Sequence, residues 1–418
     1  MLVLLAALSG AALPQDGSLD PAFSTVPFDE WLTGSGAGRF RWSIRASHPE
    51  LSMHQRLAIE LEAKVDGADL AERRGKGELV TFIQLIDAEG RRYQSHGTID
   101  LTKVEAGVKS NYITYTQYAF VVPGEYRLAM AIYDSATGEH SARQDRVRVA
   151  PLHSDPLPNA WHGLPPVEYI PASQQPESWF LPTIEGRLYL PVTPKHPARI
   201  EVIANLSPSE HPQRGRRTST WNPGILIPAF KALSEIRAQP GQLNVELVDI
   251  LRRRAVFHQS GLGELNWPEI KEALAESSTG TIDLKALENR RHDLAFFVSE
   301  LNKRIAGESG DARAIIVLSN VIEFESSQEL EPVRLTASPG CRLFYIRIRT
   351  PLPRSLSQEM PGRGRRMGPW RPVPLLWENP IDQLEPVLKP LSPREFDVVY
   401  PDQLRKALAA ILADIATM

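Results

Sequence analysis

Cysteine is nearly absent from this chain. Cys341 is the only one among 418 residues, so no disulfide can form within the chain and no zinc site can be built on several thiolates. The apolar run that follows it suits a small buried residue. A reactive thiol needs exposure and nearby cations. An excess of one charge is absent too, because 47 Lys and Arg face 50 Asp and Glu. The net charge of −3 gives no general attraction to nucleic acid or to an acidic membrane surface. No transmembrane segment is expected, since no apolar run reaches the roughly 18 residues that a spanning helix needs. Also missing are Gly-x-Ser-x-Gly, His-Glu-x-x-His and the Gly-x4-Gly-Lys phosphate loop. The ten histidines show no ligand spacing, and His258 near Ser260 reads as a chance pairing on a strand or turn.

What is present suits globular protein. Hydrophobic residues make up 42% and charged residues 23%. A chain this long predicts two or more domains. The 35 prolines are about 8% of residues against an average near 5%; they cluster, and so mark linkers and long loops. Residues 1–13 are apolar or small and too few to span a bilayer. They resemble the apolar part of a secretory signal, with Ser9-Gly10-Ala11-Ala12 as a small-residue cleavage region, although a basic start is missing. Export to the periplasm or the exterior is therefore expected. Residues 14–38, rich in Gly, Pro and Ser, read as a tether with a candidate short helix at 27–32.

Residues 39–150 have an all-β pattern. Leu57, Ile59, Leu61, Ala63 and Val65 alternate with polar or small residues, as in a half-buried strand. Further strands are predicted at 79–86, 91–94, 112–122, 126–134 and 142–149, with no strong helix between them. That spacing indicates a β-sandwich. Pro123-Gly124-Glu125-Tyr126, followed by Leu128, Met130 and Ile132, resembles the entry to the sixth strand of an immunoglobulin-like sandwich. There a tyrosine hydroxyl bonds back to nearby backbone. The cysteine pair of antibody domains is missing, so the likeness is to the architecture. Residues 151–196 are rich in proline but also carry Trp161, Tyr169, Trp179 and Phe180, which suits an ordered connector rather than a disordered one. A strand is possible at 186–192.

From residue 197 strands and helices alternate. Strands are predicted at 199–204, 243–251, 254–258, 314–318, 341–348 and 396–399. Helices are predicted at 223–237, 267–274, 283–305, 381–388 and 401–415, the first with Asn222 as N-cap and Pro223 at its first position. This order calls for an α/β doubly wound, Rossmann-like domain over 197–418, with a mainly parallel sheet and helices on both faces. The first strand breaks at Asn205 into small polar residues, at the sheet edge where ligands bind.

The loop Asn205-x-Ser207-x-Ser209 resembles the Asp-x-Ser-x-Ser loop of the von Willebrand factor A family, with Asn in place of Asp. Gly280-Thr281 and Ser319-Asn320-Val321 resemble the threonine and Thr-Asp-Gly loops of that family. The resemblance implies a divalent-cation site at Asn205, Ser207, Ser209, Thr281 and Asn320. Both acidic positions are amides here, and neutral oxygens hold Mg²⁺ poorly. Two readings follow: a site without metal, or weak binding helped by a partner carboxylate or by Glu210. No other cofactor is implied.

Residues 351–374 form an Arg/Pro/Gly-rich loop containing Arg354, Arg363, Arg365, Arg366 and Arg371. It reads either as a solvated loop or as an arm for an anionic partner, since arginine grips carboxylate and phosphate bidentately. The whole chain resembles exported bacterial proteins that join a β-sandwich to a von Willebrand A-like domain. That implies a non-enzymatic binding, adhesion or scaffold protein acting on a protein partner. The alternatives are an enzyme or enzyme subunit with a site in an interdomain groove, and a metal-dependent binding domain.

Overall fold

The computed structural model describes residues 18–34, 40–170, 188–207, 209–213, 216–220, 223–239, 241–261, 265–277, 294–305, 312–322, 340–349 and 382–418. Its first stretch, within the expected tether, is docked. A 3-10 turn over Pro21–Thr25 and helix α1 (Phe28–Thr33) place Phe23 and Phe28 against Phe82, with ring centroids 5.0 and 6.1 Å apart. Trp31 stacks on His140 at 4.4 Å. Three aromatic side chains in a short segment supply enough apolar area to hold it, each worth on the order of 1.5–3 kcal/mol when buried.

The β body comprises β1 (Trp42–Ala46), β2 (Glu50–Leu51), β3 (Leu57–Asp66), β4 (Glu78–Ile86), β5 (Arg92–Asp100), β6 (Tyr112–Val121), β7 (Gly124–Asp134), β8 (His140–Val149) and β9 (Val167–Ile170). They form two antiparallel sheets, β1-β3-β6-β9 with β2 on β3, and β5-β4-β7-β8. Strict alternation along β3 buries Leu57, Ile59, Leu61, Ala63 and Val65. These meet Leu79, Ile83, Leu85, Leu128, Met130 and Ile132 of the other sheet in one core. The sequence pattern shows no strong helix here, yet α2 (Gly67–Arg73) is inserted between β3 and β4. Asp66 caps it through Ala68 N, and Leu70 enters the core. Tyr126 Oη donates to Val122 O at 2.9 Å, with Pro166 O a second acceptor at 3.2 Å. The hydroxyl thus bonds back to backbone four residues upstream and also ties down the approach to β9.

The second body is α/β. Its strands are β10 (Leu190–Val192), β11 (Ala198–Asn205), β12 (Ser209–Gln213), β13 (Arg216–Thr220), β14 (Ile236–Ala238), β15 (Gly241–Asp249), β16 (Arg254–Ser260), β17 (Ala312–Asn320), β18 (Cys341–Ile348) and β19 (Arg394–Val398). Its helices are α3 (Pro223–Ser234), α4 (Trp267–Ser277), α5 (Ala295–Ile305), α6 (Leu384–Leu388) and α7 (Pro401–Ala416). Six strands run in the order β16-β15-β11-β17-β18-β19, all parallel except the antiparallel edge strand β16. Ile200, Val202, Ala314 and Ile316 pack on α3, α4 and α7. Ile203, Ile315 and Val317 pack on α5 and α6. A sheet covered on both faces explains why β17 reads as an unbroken apolar run.

Three features depart from the predicted order. The helix expected over 223–237 ends at Ser234, and Ile236–Ala238 pairs with Leu190–Val192 in a two-stranded parallel sheet. A hairpin, β12–β13, stands between β11 and α3. The helix expected over 381–388 begins at Leu384. Of the helix expected over 283–305, residues 294–305 are described and α5 lies within them.

One arginine joins the two bodies. Arg405 of α7 is only 2% exposed. Its Nε and Nη2 grip Asp155 at 2.6 and 2.7 Å, and Nη2 also donates to Leu157 O at 2.8 Å. The guanidinium lies 4.6 Å from the Trp161 ring, whose Nε1 donates to Gln55 O at 2.7 Å. Gln55 Nε2 donates to Pro401 O at 3.0 Å. Burial alone would raise the Asp155 pKa, but hydrogen bonds and the Arg405 charge hold it below the usual carboxylate range. The connector over 151–170 is thus docked between hairpin β2–β3 and helix α7.

Two stability predictions follow from these contacts. Tyr126→Phe should cost about 1 kcal/mol in urea unfolding of the full chain, the net worth of one hydrogen bond; superimposable curves would refute the corner bond. Arg405→Met takes the guanidinium from the half-buried Asp155 carboxylate, which keeps only the Leu157 N–H, at a cost of about 1–3 kcal/mol. Adding Asp155→Asn should recover part of that loss, and a double variant no more stable than the single one would show that the pair does not carry the junction.

Candidate functional site

The strand order reverses between β11 and β17. From β11 the chain goes outward to β15 and then returns to the other side as β17. In open α/β sheets the crevice at such a reversal, outside the carboxyl ends of the strands, is where ligands bind. Asn205 ends β11 and Ser319 is its register partner on β17.

Asn205 is completely buried. Its Oδ1 accepts from Ser207 N at 3.0 Å, closing an Asx turn. Its Nδ2 donates to Ser319 Oγ at 3.0 Å. Ser319 Oγ in turn donates to Asn320 O at 2.6 Å. Ser207 Oγ donates to Asp249 Oδ1 at 3.0 Å and accepts from Leu251 N at 3.1 Å. Asp249, at the end of β15, is 2% exposed and takes two bonds from Arg252: backbone N to Oδ1 at 3.1 Å and Nη1 to Oδ2 at 2.8 Å. The crevice between β11 and β17 is therefore bridged by neutral groups, and the buried Asp249 carboxylate is matched by an arginine three residues on.

Of the five positions singled out for a cation, the structure brings Asn205 and Ser207 into this network. Asn320 ends β17 and is buried, but its amide nitrogen has no partner and the side chain that meets Asn205 is Ser319. Ser209 opens β12. Thr281 lies outside the described residues, as do Arg354, Arg363, Arg365, Arg366 and Arg371.

Sequence reasoning missed Asp249, read Arg252 as part of a solvated strand end or turn, and named Ser319 in its loop while giving the ligand position to Asn320. Asp249 carries a signal in hindsight: an acidic residue closing an apolar strand sits at the carboxyl edge. Its proximity to Ser207 depends on β15 and β11 being neighbours, which spacing does not reveal.

The described part of this donor set, Asn205, Ser207 and Asp249, offers a hard dication little unmatched carboxylate charge. Mg²⁺ needs oxygens with free lone pairs and carboxylate charge. Asn205 Oδ1 is taken by an N–H, Ser207 Oγ both gives and takes, and the Asp249 charge is matched by Arg252. Among the described residues, no three His, Cys, Asp or Glu side chains gather in a way that could hold a metal.

A second polar group lies nearby, at the carboxyl end of β18. Tyr345 Oη donates to Asp382 Oδ2 at 2.7 Å, and Asp382 Oδ1 accepts from Leu384 N at 3.2 Å. Burial raises the Asp382 pKa, and burial with the adjacent carboxylate raises that of Tyr345. Arg347 bonds Glu385, Glu395 and Asp397. These contacts fix α6 to the sheet.

His258 Nε2 lies 2.9 Å from Ser260 Oγ, and Glu246 is opposite His258 in register. Glu246, however, pairs with Arg304 at 2.9 Å. No hydrogen bond from Glu246 orients the imidazole among the described residues, so the third member that nucleophilic catalysis requires is missing there. A cavity of about 480 Å³ lined by Val122, Pro123, Leu152, Asp155, Trp161 and His162, among others, is also present. Its one carboxylate, Asp155, is the one held by Arg405.

No family model matches this chain, and no curated protein does. Among solved structures it is similar to BatB of Bacteroides thetaiotaomicron, a conserved hypothetical protein, at 13% identity over 52% of this chain and 98% of that one, with a TM-score of 0.24. ApaA from Bordetella pertussis is 12% identical over 27% of this chain and 97% of its own, with a TM-score of 0.18. A β-glucosidase from Listeria innocua is 16% identical over 27% of this chain and 16% of its own, with a TM-score of 0.16. Scores this low carry no argument about fold or function. No helix among the described residues is long and apolar enough to cross a membrane.

Asn205→Asp should cost about 2–4 kcal/mol at pH 7, because it buries a charge and removes the donor to Ser319. Burial raises a carboxyl pKa, so the deficit should shrink as pH falls and the new group protonates. Urea unfolding at pH 7 and pH 5 tests this. A variant as stable as the parent at pH 7 would contradict a closed amide network.

Proposed function

We propose that this chain is an exported, non-enzymatic binding or scaffold protein. Its first body is read as an immunoglobulin-like sandwich and its second as a von Willebrand A-like domain that engages a protein partner without a metal. The observation that carries this reading is the Asn205–Ser319 bond at the strand reversal. Where a ligand-binding α/β sheet opens, this one is bridged by amide and hydroxyl groups that satisfy each other. The two-sheet β body and the Tyr126 corner bond support the sandwich assignment. The two-faced parallel sheet and the Asn205-x-Ser207 turn support the second.

Recognition on this reading rests on surface shape and charge, and chelators leave it intact. The test is affinity capture by the immobilised full chain from envelope extract of its host, in Mg²⁺ and in EDTA. A protein partner that binds saturably and equally in both supports the reading. Capture that requires Mg²⁺ would favour the metal-dependent alternative. Turnover of a substrate by the purified chain would favour an enzyme.

A further inference from the structure

Arg56 begins the approach to β3 and is 1% exposed. It lies beside the Gln55 carbonyl that Arg405 Nη1 approaches at 3.5 Å. The two arginines are bound differently. Arg405 spends its Nε–Nη2 edge on both oxygens of Asp155. Among the described residues Arg56 uses Nη1 alone, on Glu168 Oε2 at 3.2 Å, and its Nε and Nη2 are buried with no acceptor. Those two N–H groups point the same way and form the fork that matches two oxygens of one anion. A charged fork closed off from water and left unmet is costly.

The Arg56 guanidinium and the His54 ring flank Phe120, at 5.4 and 5.6 Å from its centroid. His54 Nδ1 is also buried without a partner, as is Gln55 Oε1. Burial, then the charges of Lys231 and Arg56, push the His54 pKa down to about 3, so the ring is neutral near pH 7. Glu168 is the carboxylate bonded to Arg56. The nearby Asp155 is held by Arg405.

We propose that the Nε–Nη2 edge of Arg56 binds a small oxyanion, of the carboxylate or phosphate class, at the junction of the two bodies. Arg56 and His54 come from the β body and flank Gln55, whose side chain donates to Pro401 O of the α/β body and whose carbonyl Arg405 Nη1 approaches. Binding there ties the two bodies together more firmly.

The test is thermal melting of the full chain at pH 7 in formate, phosphate and chloride at matched ionic strength. A saturable rise of a few degrees is expected with formate or phosphate and not with chloride. A response to formate alone assigns a carboxylate, and a response to phosphate alone assigns a phosphate. Arg56→Lys keeps the charge but not the fork, and should abolish the rise. No rise, equal rises in all three salts, or an undiminished rise in Arg56→Lys would overturn the proposal and leave the fork to bound water. Should Arg56→Lys fail to fold, the Nε–H resonance of Arg56 in the unaltered protein decides. A shift that saturates along with the melting response supports the site, and an unmoved resonance overturns it.

Discussion

The carboxyl end of β11 is governed by one requirement: a completely buried side chain must both accept and donate. The amide of Asn205 does both, taking the Ser207 N–H and giving to Ser319. A carboxylate could accept but not donate, and would carry charge into a site with no exposure. Because Asn205 holds Ser207 in its turn, Ser207 reaches Asp249, and Asp249 holds Arg252 and the tight turn into β16. Three neighbouring strand ends are thereby linked in sequence. The network is neutral overall, since its single carboxylate is matched by its single guanidinium. In a low-dielectric interior a fully satisfied network of this kind specifies one arrangement of loops.

A comparable logic holds at the junction of the two bodies. Arg405 rises from an otherwise apolar helix face, where Leu404, Leu408 and Ile411 are buried, and finds its carboxylate on the connector. The connector is ordered there because Trp161 covers the guanidinium and bonds the Gln55 carbonyl. Proline-rich composition here gives a succession of turns over 151–166 that lies on both bodies. Polar contacts at Arg405 and Gln55 and the packing of Trp161 on both cores join the α/β sheet to the β body.

Parts of this were legible in the sequence. The alternation of β3 and the unbroken run of β17 each identified a strand and its environment, because burial on one face or two leaves different periods. Asn205 was legible as the end of the first parallel strand, and Tyr126 as the residue that bonds back across a turn. Other parts were hidden for identifiable reasons. The β12–β13 hairpin contains Pro212 and a run of polar residues, so it shows no strand period. Ile236–Ala238 looks like the tail of a helix and becomes a strand only because Leu190–Val192 lies alongside. Residues 18–34 look like a tether by composition, although their three aromatics find a sheet face. Arg405 looks like a surface arginine, and its partner is 250 residues away. Ser319 and Asp249 gain meaning only once the strand order brings their ends together.

The most direct test of a metal-free carboxyl edge is anomalous scattering from crystals of the unaltered protein soaked in Mn²⁺. The Asn205–Ser319–Ser207–Asp249 network predicts no anomalous peak within coordinating distance of Asn205 Oδ1 or Ser207 Oγ, and an unbroken Asn205–Ser319 bond. An ordered Mn²⁺ ion bound to those oxygens, with the Asn205 amide turned away from Ser319, would contradict it.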